Sequence, residues 1–208
     1  MKQRWTKKLE YIWMYYKIPI CTVMGLILVV SHFGYAKISE KECAFNAILF
    51  DVHTDRSEET LAREFAAWND IDTSDYDVQI STSLILEDPL SNYAMTSRSR
   101  LYALIGTQDL DAVIMREDDF HTYENADAFC DLRSLFTEEE LSAFPSLYKD
   151  SEGRVLGVYA NSLPLIREIG GYSDSIGIAG IVYNTRHPET AKAYLQYLNQ
   201  SGKGGELQ

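Results

Sequence analysis

Cysteine is scarce in this chain. Cys21, Cys43 and Cys130 are the only three, and no two of them stand as CxxC. That spacing excludes the usual zinc and thiol-redox signatures. The glycines form neither a GxGxxG fingerprint nor a phosphate-binding loop, and there is no GxSxG around a serine. No cofactor is therefore expected, and no nucleophile announces an enzyme. Positive charge is short as well: 19 Lys and Arg face 31 Asp and Glu, for a net charge of −12. A chain this acidic repels nucleic acid, so none is expected as a partner. Its acidity otherwise serves solubility and names no partner.

Long apolar runs are absent but for one. Residues 18–36, IPICTVMGLILVVSHFGYA, carry no formal charge. As a helix they would extend roughly 28 Å, about the thickness of a bilayer's hydrocarbon core. Lys2, Arg4, Lys7, Lys8 and Lys17 precede them, against Glu10 alone. The positive-inside bias puts that flank in the cytoplasm and the rest of the chain across the membrane. Gly34-Tyr35-Ala36 has the small residues of a signal-peptidase site. The run is nevertheless longer than a signal core, and Trp5, Tyr11, Trp13, Tyr15 and Tyr16 suit a membrane interface, so an uncleaved anchor is expected. The organisation expected is a basic, aromatic cytoplasmic segment at 1–17, a transmembrane anchor at 18–36, a tether at 37–45, an α/β body at 46–200 and a flexible tail at 201–208.

Within the body, strand and helix patterns alternate. Asn46–Val52 is a near-continuous apolar run, as in a strand covered on both faces. Leu61, Phe65 and Trp68 stand at helical spacing. Val78, Ile80, Thr82, Leu84 and Leu86 alternate at strand period over 77–86, and Asp88-Pro89 ends the pattern. A helix follows over 91–108, with Ala94, Leu101, Tyr102 and Ile105 on one side. A strand is expected over 110–115 and an acidic helix over 116–126. Thr137 and Glu140 form a capping box. Strands over 153–160 and 175–183 flank a short helical turn begun by Pro164. Pro188 opens a last helix with Ala191, Tyr194, Leu195 and Leu198 on one face. The order predicts one mostly parallel sheet with helices on both faces.

At LDAVIMREDDFHTYENADAFCDLRSLF the chain resembles bacterial extracellular solute-binding proteins, whose pattern "D-V-V-I-M-D … F … G-A-F-x-D-L" is met by Asp111 to Met115, Phe120, Ala128-Phe129 and Asp131-Leu132. EGRVLGVYANS at 152–162 is similar to the strand on which that family crosses into its second lobe. GIAGIVYNTRHPETAKAYLQYL at 177–198 is similar to its closing strand and helix. The resemblance implies a periplasmic-binding-protein-like fold and a binding role at the cell envelope. One departure stands out: residues 161–174 alone separate the two strands between which a second lobe, on the order of 100 residues, would lie. The resemblance therefore implies a single lobe. It further implies an extracytoplasmic domain that recognises a protein or peptide, as an accessory to transporter components. A true small-solute receptor and a structural ectodomain of a membrane assembly are the alternatives.

The candidate site residues lie where strands end. Asp51, His53 and Asp55 alternate after the first strand and would share one face if it continued. Arg116 and Glu117 follow the third strand and would lie beside them, at the carboxyl ends where α/β sheets bind ligands. A carboxylate–imidazole–carboxylate set could hold a divalent cation or serve as an acid–base pair in a hydrolase. The plainer reading is a solvated loop, with Asp55 capping the next helix. His121 beside Glu117 or Glu124 is read as part of a charged solvent face, and His187 as a helix-start residue. Cys43 and Cys130, both outside the cell on this reading, are a candidate disulfide.

Overall fold

The computed structural model describes residues 18–19, 21–28, 41–87, 90–172 and 175–200. The expected cytoplasmic segment, most of the tether, the tail, the Asp88-Pro89 break and Gly34–Ala36 lie outside them. The chain divides into two units, Met1–Lys41 and Glu42–Gln208. In the first, residues 18–19 and 21–28 are helical, and the Thr22 hydroxyl donates to the Ile18 carbonyl one turn back. Among the described residues no helix is long and apolar enough to cross a membrane.

The second unit is an α/β body built on one six-stranded mixed sheet. Its elements are β1 (Glu42–Leu49), α1 (Glu58–Trp68), β2 (Tyr76–Ser81), α2 (Asn92–Thr107), β3 (Ala112–Arg116), α3 (Glu117–Glu124), α4 (Glu138–Ser142), β4 (Leu147–Lys149), β5 (Val155–Tyr159), α5 (Pro164–Glu168), β6 (Gly177–Ile181) and α6 (Pro188–Leu198). Single 3₁₀ turns stand at Leu132–Ser134 and Ala160–Ser162. The strand order is β2-β1-β3-β6-β5-β4.

The mostly parallel expectation is corrected. β1 pairs in parallel with β2 and β3, but β3–β6, β6–β5 and β5–β4 are all antiparallel. The linkers account for the change. A parallel pair needs a crossover of a dozen or more residues packed across the sheet. α1 and α2 supply such crossovers. β4 and β5 are joined by a tight turn, in which Asp150 accepts the N–H groups of Glu152 and Arg154 and Gly153 takes φ +79°. Between β5 and β6 the described residues form a 3₁₀ turn and the five-residue α5.

Two strands also differ from their expected bounds. β1 begins at Glu42, inside the expected tether, and ends at Leu49. β2 stops at Ser81, short of the expected Leu86. The N–H groups that would continue β2 are taken by a side chain instead. Glu58 Oε1 accepts Thr82 N–H at 2.6 Å, Ser83 N–H at 2.9 Å and the Ser81 hydroxyl at 3.0 Å.

Helices cover both faces, and the strand alternation sorts the core between them. Phe45, Ala47 and Leu49 of β1 pack with α1, α5 and α6, while Ile48 and Phe50 pack with Leu101 of α2 and Phe120 of α3. On the first face the rings of Phe45, Phe65 and Tyr194 meet at 4.8–5.0 Å. On the second, Phe120 and Phe129 stack at 4.0 Å. α6 buries the expected Ala191, Tyr194, Leu195 and Leu198, and Thr137 with Glu140 makes both bonds of the capping box. Tyr102 departs from the expected α2 face: it is exposed, with its ring 5.5 Å from Tyr123.

Candidate functional site

β1 lies between β2 and β3, so the chain leaves β1 to one side and returns to the other. Beyond the carboxyl ends of such strands the helices diverge and leave a crevice. A pocket of about 320 Å³ sits there, lined by Asp51, His53, Glu87, Arg116, Gly170, Tyr172 and Ser175. Three of the five residues expected from the sequence are thus brought together: Asp51, His53 and Arg116.

The route by which they meet differs from the expectation. Alternation along a strand does not set it, because β1 ends at Leu49 and Asp51 takes φ +56°, a left-handed conformation that Asp tolerates better than most residues. Asp51 Oδ1 accepts Leu86 N–H at 2.8 Å and Glu87 N–H at 3.1 Å, tying the strand end to the segment after β2. Asp51 Oδ2 is closed to solvent and has no hydrogen-bond partner among the described residues.

Tyr172 forms the pocket's inner wall. Its hydroxyl lies within hydrogen-bonding reach of the Phe50 carbonyl and of the Ile114 carbonyl, the latter at 2.9 Å, clasping the ends of β1 and β3. Burial, then the charge of Asp51, pushes its hydroxyl well above the ordinary tyrosine value. It therefore serves as a neutral donor. The residue under its ring is Gly177, where a Cβ would stand 2.7–2.9 Å from three ring carbons.

Arg116 closes another side. Its guanidinium stands 3.6 Å from the Glu87 carboxylate, whose side chain is 63% exposed. His53 is exposed, and no hydrogen bond of its imidazole is found among the described residues. Below them Arg98 donates to Asp119 at 3.1 Å. Burial raises the Asp119 carboxyl, and the Arg98 charge offsets part of that rise.

Asp55 and Glu117 fall outside this pocket. Asp55 lines the neighbouring hollow of about 680 Å³, which shares His53 and Gly170 with the first. It does not cap α1; Ser57 does, accepting Thr60 N–H. Glu117 starts α3 and turns to Tyr159, whose hydroxyl is pushed up by burial and then by the Glu117 carboxylate. No group of three His, Cys, Asp or Glu side chains that could hold a metal ion occurs among the described residues, so Asp51, His53 and Asp55 do not converge as a metal set.

The other sequence candidates resolve as follows. His121 Nδ1 lies 3.0 Å from Glu124 and 3.0 Å from the Tyr148 hydroxyl, which donates to Glu124 at 2.6 Å. His187 precedes α6, with Nδ1 3.2 Å from the buried Asp111. Cys43 and Cys130 are free thiols. Cys130 adjoins the Phe129–Val182 bridge and donates its N–H to Ile181 of β6, whereas Cys43 is on β1. β3 and β6 stand between the two segments, which puts them on the order of 14 Å apart, too far for a disulfide.

Glu87, Gly170, Tyr172 and Ser175 were not singled out as site residues. Their only sequence signals were the Gly170-Gly171 pair, which fits no nucleotide motif, and one tyrosine among many.

No family model, curated protein or solved structure matches this chain. The site is read from its own chemistry: an open, polar hollow with donors on Arg116, His53 and Ser175 and acceptors on Asp51 and Glu87.

Proposed function

We propose that the α/β body is a non-enzymatic recognition domain of the one-lobed solute-binding type. The observation that carries this reading is the pocket at the ends of β1 and β3, where Asp51, His53 and Arg116 meet although the chain separates them. Among the described residues no hydrogen bond in it pairs a nucleophile with a base in the manner of hydrolytic sites. The open hollow suits a group presented by a partner better than a solute that must be enclosed.

The basic flank and apolar run of residues 1–36 support an anchored domain on the extracytoplasmic side, working beside transport or other envelope components. A true small-solute receptor is the second reading, favoured by the pocket's volume. Two experiments test the proposal. The full chain is screened by thermal shift against sugars, amino acids, amines and short peptides, with Arg116→Ala beside it. A hit abolished by that variant supports the site; a hit indifferent to it removes the site. Protease added outside intact cells degrades the body if the anchor reading holds and spares it if the body is internal.

A further inference from the structure

We infer that the strand-end pocket takes a primary alkylammonium group, presented as a lysine side chain on a segment of a partner protein. This rests on the pocket being the binding site and names the chemistry it selects.

The first ground is Asp51. Its Oδ1 is occupied by two backbone donors, while Oδ2 exposes less than 1 Å² and has none among the described residues. A carboxylate oxygen shut away without a donor is costly, and natural proteins seldom leave one so. An ammonium carries three donors and a full positive charge, and its hydrogen bond to a carboxylate is among the stronger kinds.

The second ground is the balance of charge along the cleft. The pocket and the hollow beside it share His53 and Gly170, so they run on from one another. Among the described residues, Asp51, Glu87, Asp55 and Glu168 line them, against Arg116 and Arg56. Arg56 is held between Glu64 and Glu168. Arg116 leans on Glu87 at 3.6 Å, longer than a direct hydrogen bond. Asp55 makes no hydrogen bond or ion pair among the described residues. An entering ammonium displaces the loose Arg116–Glu87 pair to reach Asp51, and a second cation along the same chain meets Asp55. The net charge of −12 draws cationic ligands in and discourages anionic ones.

A free diamine offers the same ammonium, so the test separates the two sources. The full chain in detergent is titrated calorimetrically with a trilysine peptide blocked at its N-terminus, with the same blocked peptide acetylated on its side chains, and with 1,4-diaminobutane. The expected result is binding of trilysine, none of the acetylated peptide, and a loss of tenfold or more in Asp51→Asn, which keeps an oxygen for Leu86 and Glu87. Glu87→Gln should weaken binding by a smaller factor. Melting curves of both variants show whether they fold; if Asp51→Asn does not, Glu87→Gln and the acetylated peptide decide. Binding of trilysine without diamine supports the partner segment. Binding of diamine at equal strength overturns the partner and keeps the ammonium. Equal binding of the acetylated peptide, or silence of both amines, overturns the inference. If the amines are silent while a neutral or anionic solute binds and Arg116→Ala abolishes it, the pocket stands as a site of other chemistry. If no probe binds, both readings fall.

Discussion

The Glu58 carboxylate accepts the backbone N–H of Thr82 at 2.6 Å. One side chain on the first turn of α1 thereby ends β2 and turns the following segment toward the site. Burial works to raise the Glu58 carboxyl, but the hydrogen bonds from Thr82, Ser81 and Ser83 outweigh it and hold it below its ordinary value of 4.5. A carboxyl depressed in the folded state stabilises the fold above its unfolded value, and that stability is lost as pH falls through the folded value. Melting of the full chain should therefore weaken below about pH 4.5, with a smaller acid slope in Glu58→Gln. Glu58→Ala, which strands the Thr82 and Ser83 N–H groups, should cost about 2–3 kcal/mol at neutral pH. An unchanged acid slope in Glu58→Gln would assign the acid sensitivity to other carboxylates.

Gly177 and Tyr172 make a second coupled pair. Gly177→Ala forces a methyl into the Tyr172 ring at 2.7–2.9 Å and should destabilise the body by about 1–3 kcal/mol. In a Tyr172→Leu background much of that cost should vanish, because the ring is gone. A double-mutant cycle by chemical denaturation measures the coupling, and additive effects would show that the ring does not set the need for glycine.

Asp111 is buried at the start of β3 and joins three parts of the body. It accepts Asn46 N–H at 2.8 Å and the Thr185 hydroxyl, and it contacts His187 before α6. Asp111→Ala leaves the Asn46 donor without its acceptor and should cost about 2–4 kcal/mol. Thr185→Val, which removes one donor only, should cost less. The reverse ranking by urea denaturation would move the weight to Thr185.

How much of this was legible in the sequence follows from what each feature depends on. α6 was readable residue by residue, because its pattern is local: a Pro start and apolar residues three and four apart. The capping box was local too. The antiparallel half of the sheet was not, because strand direction depends on how the linkers pack. The early end of β2 depended on Glu58, far away in sequence, out-competing a strand partner for two N–H groups. At the site, Asp51, His53 and Arg116 were visible because polar residues after apolar strands stand out. Tyr172 was hidden among fourteen tyrosines, since its role comes from reaching two distant carbonyls. Asp55 falls outside the pocket because strand alternation does not continue past Asp51, which takes a positive φ, and Glu117 because its place after β3, though correctly read as helical, does not reveal that its side chain turns to Tyr159.

The thiols give a prediction independent of the site. Cys43 and Cys130 are too far apart to bond, and Cys130 is pushed up to about 11, first by burial and then by Asp131. The oxidised and reduced full chain should migrate alike on a gel, and iodoacetamide at pH 8 should leave Cys130 largely unmodified in the folded protein, since the thiolate is the reacting form. A reducible mass difference of one disulfide would contradict this.

Hydrogen–deuterium exchange on the full chain, with and without a saturating ligand or partner, tests the binding site most directly. Added protection is expected in residues 50–56, 84–87, 170–172 and 175–176, the described segments that converge at the ends of β1 and β3. Protection confined to the outer edge of β2 or the exposed side of α2, with those three segments unchanged, would contradict it.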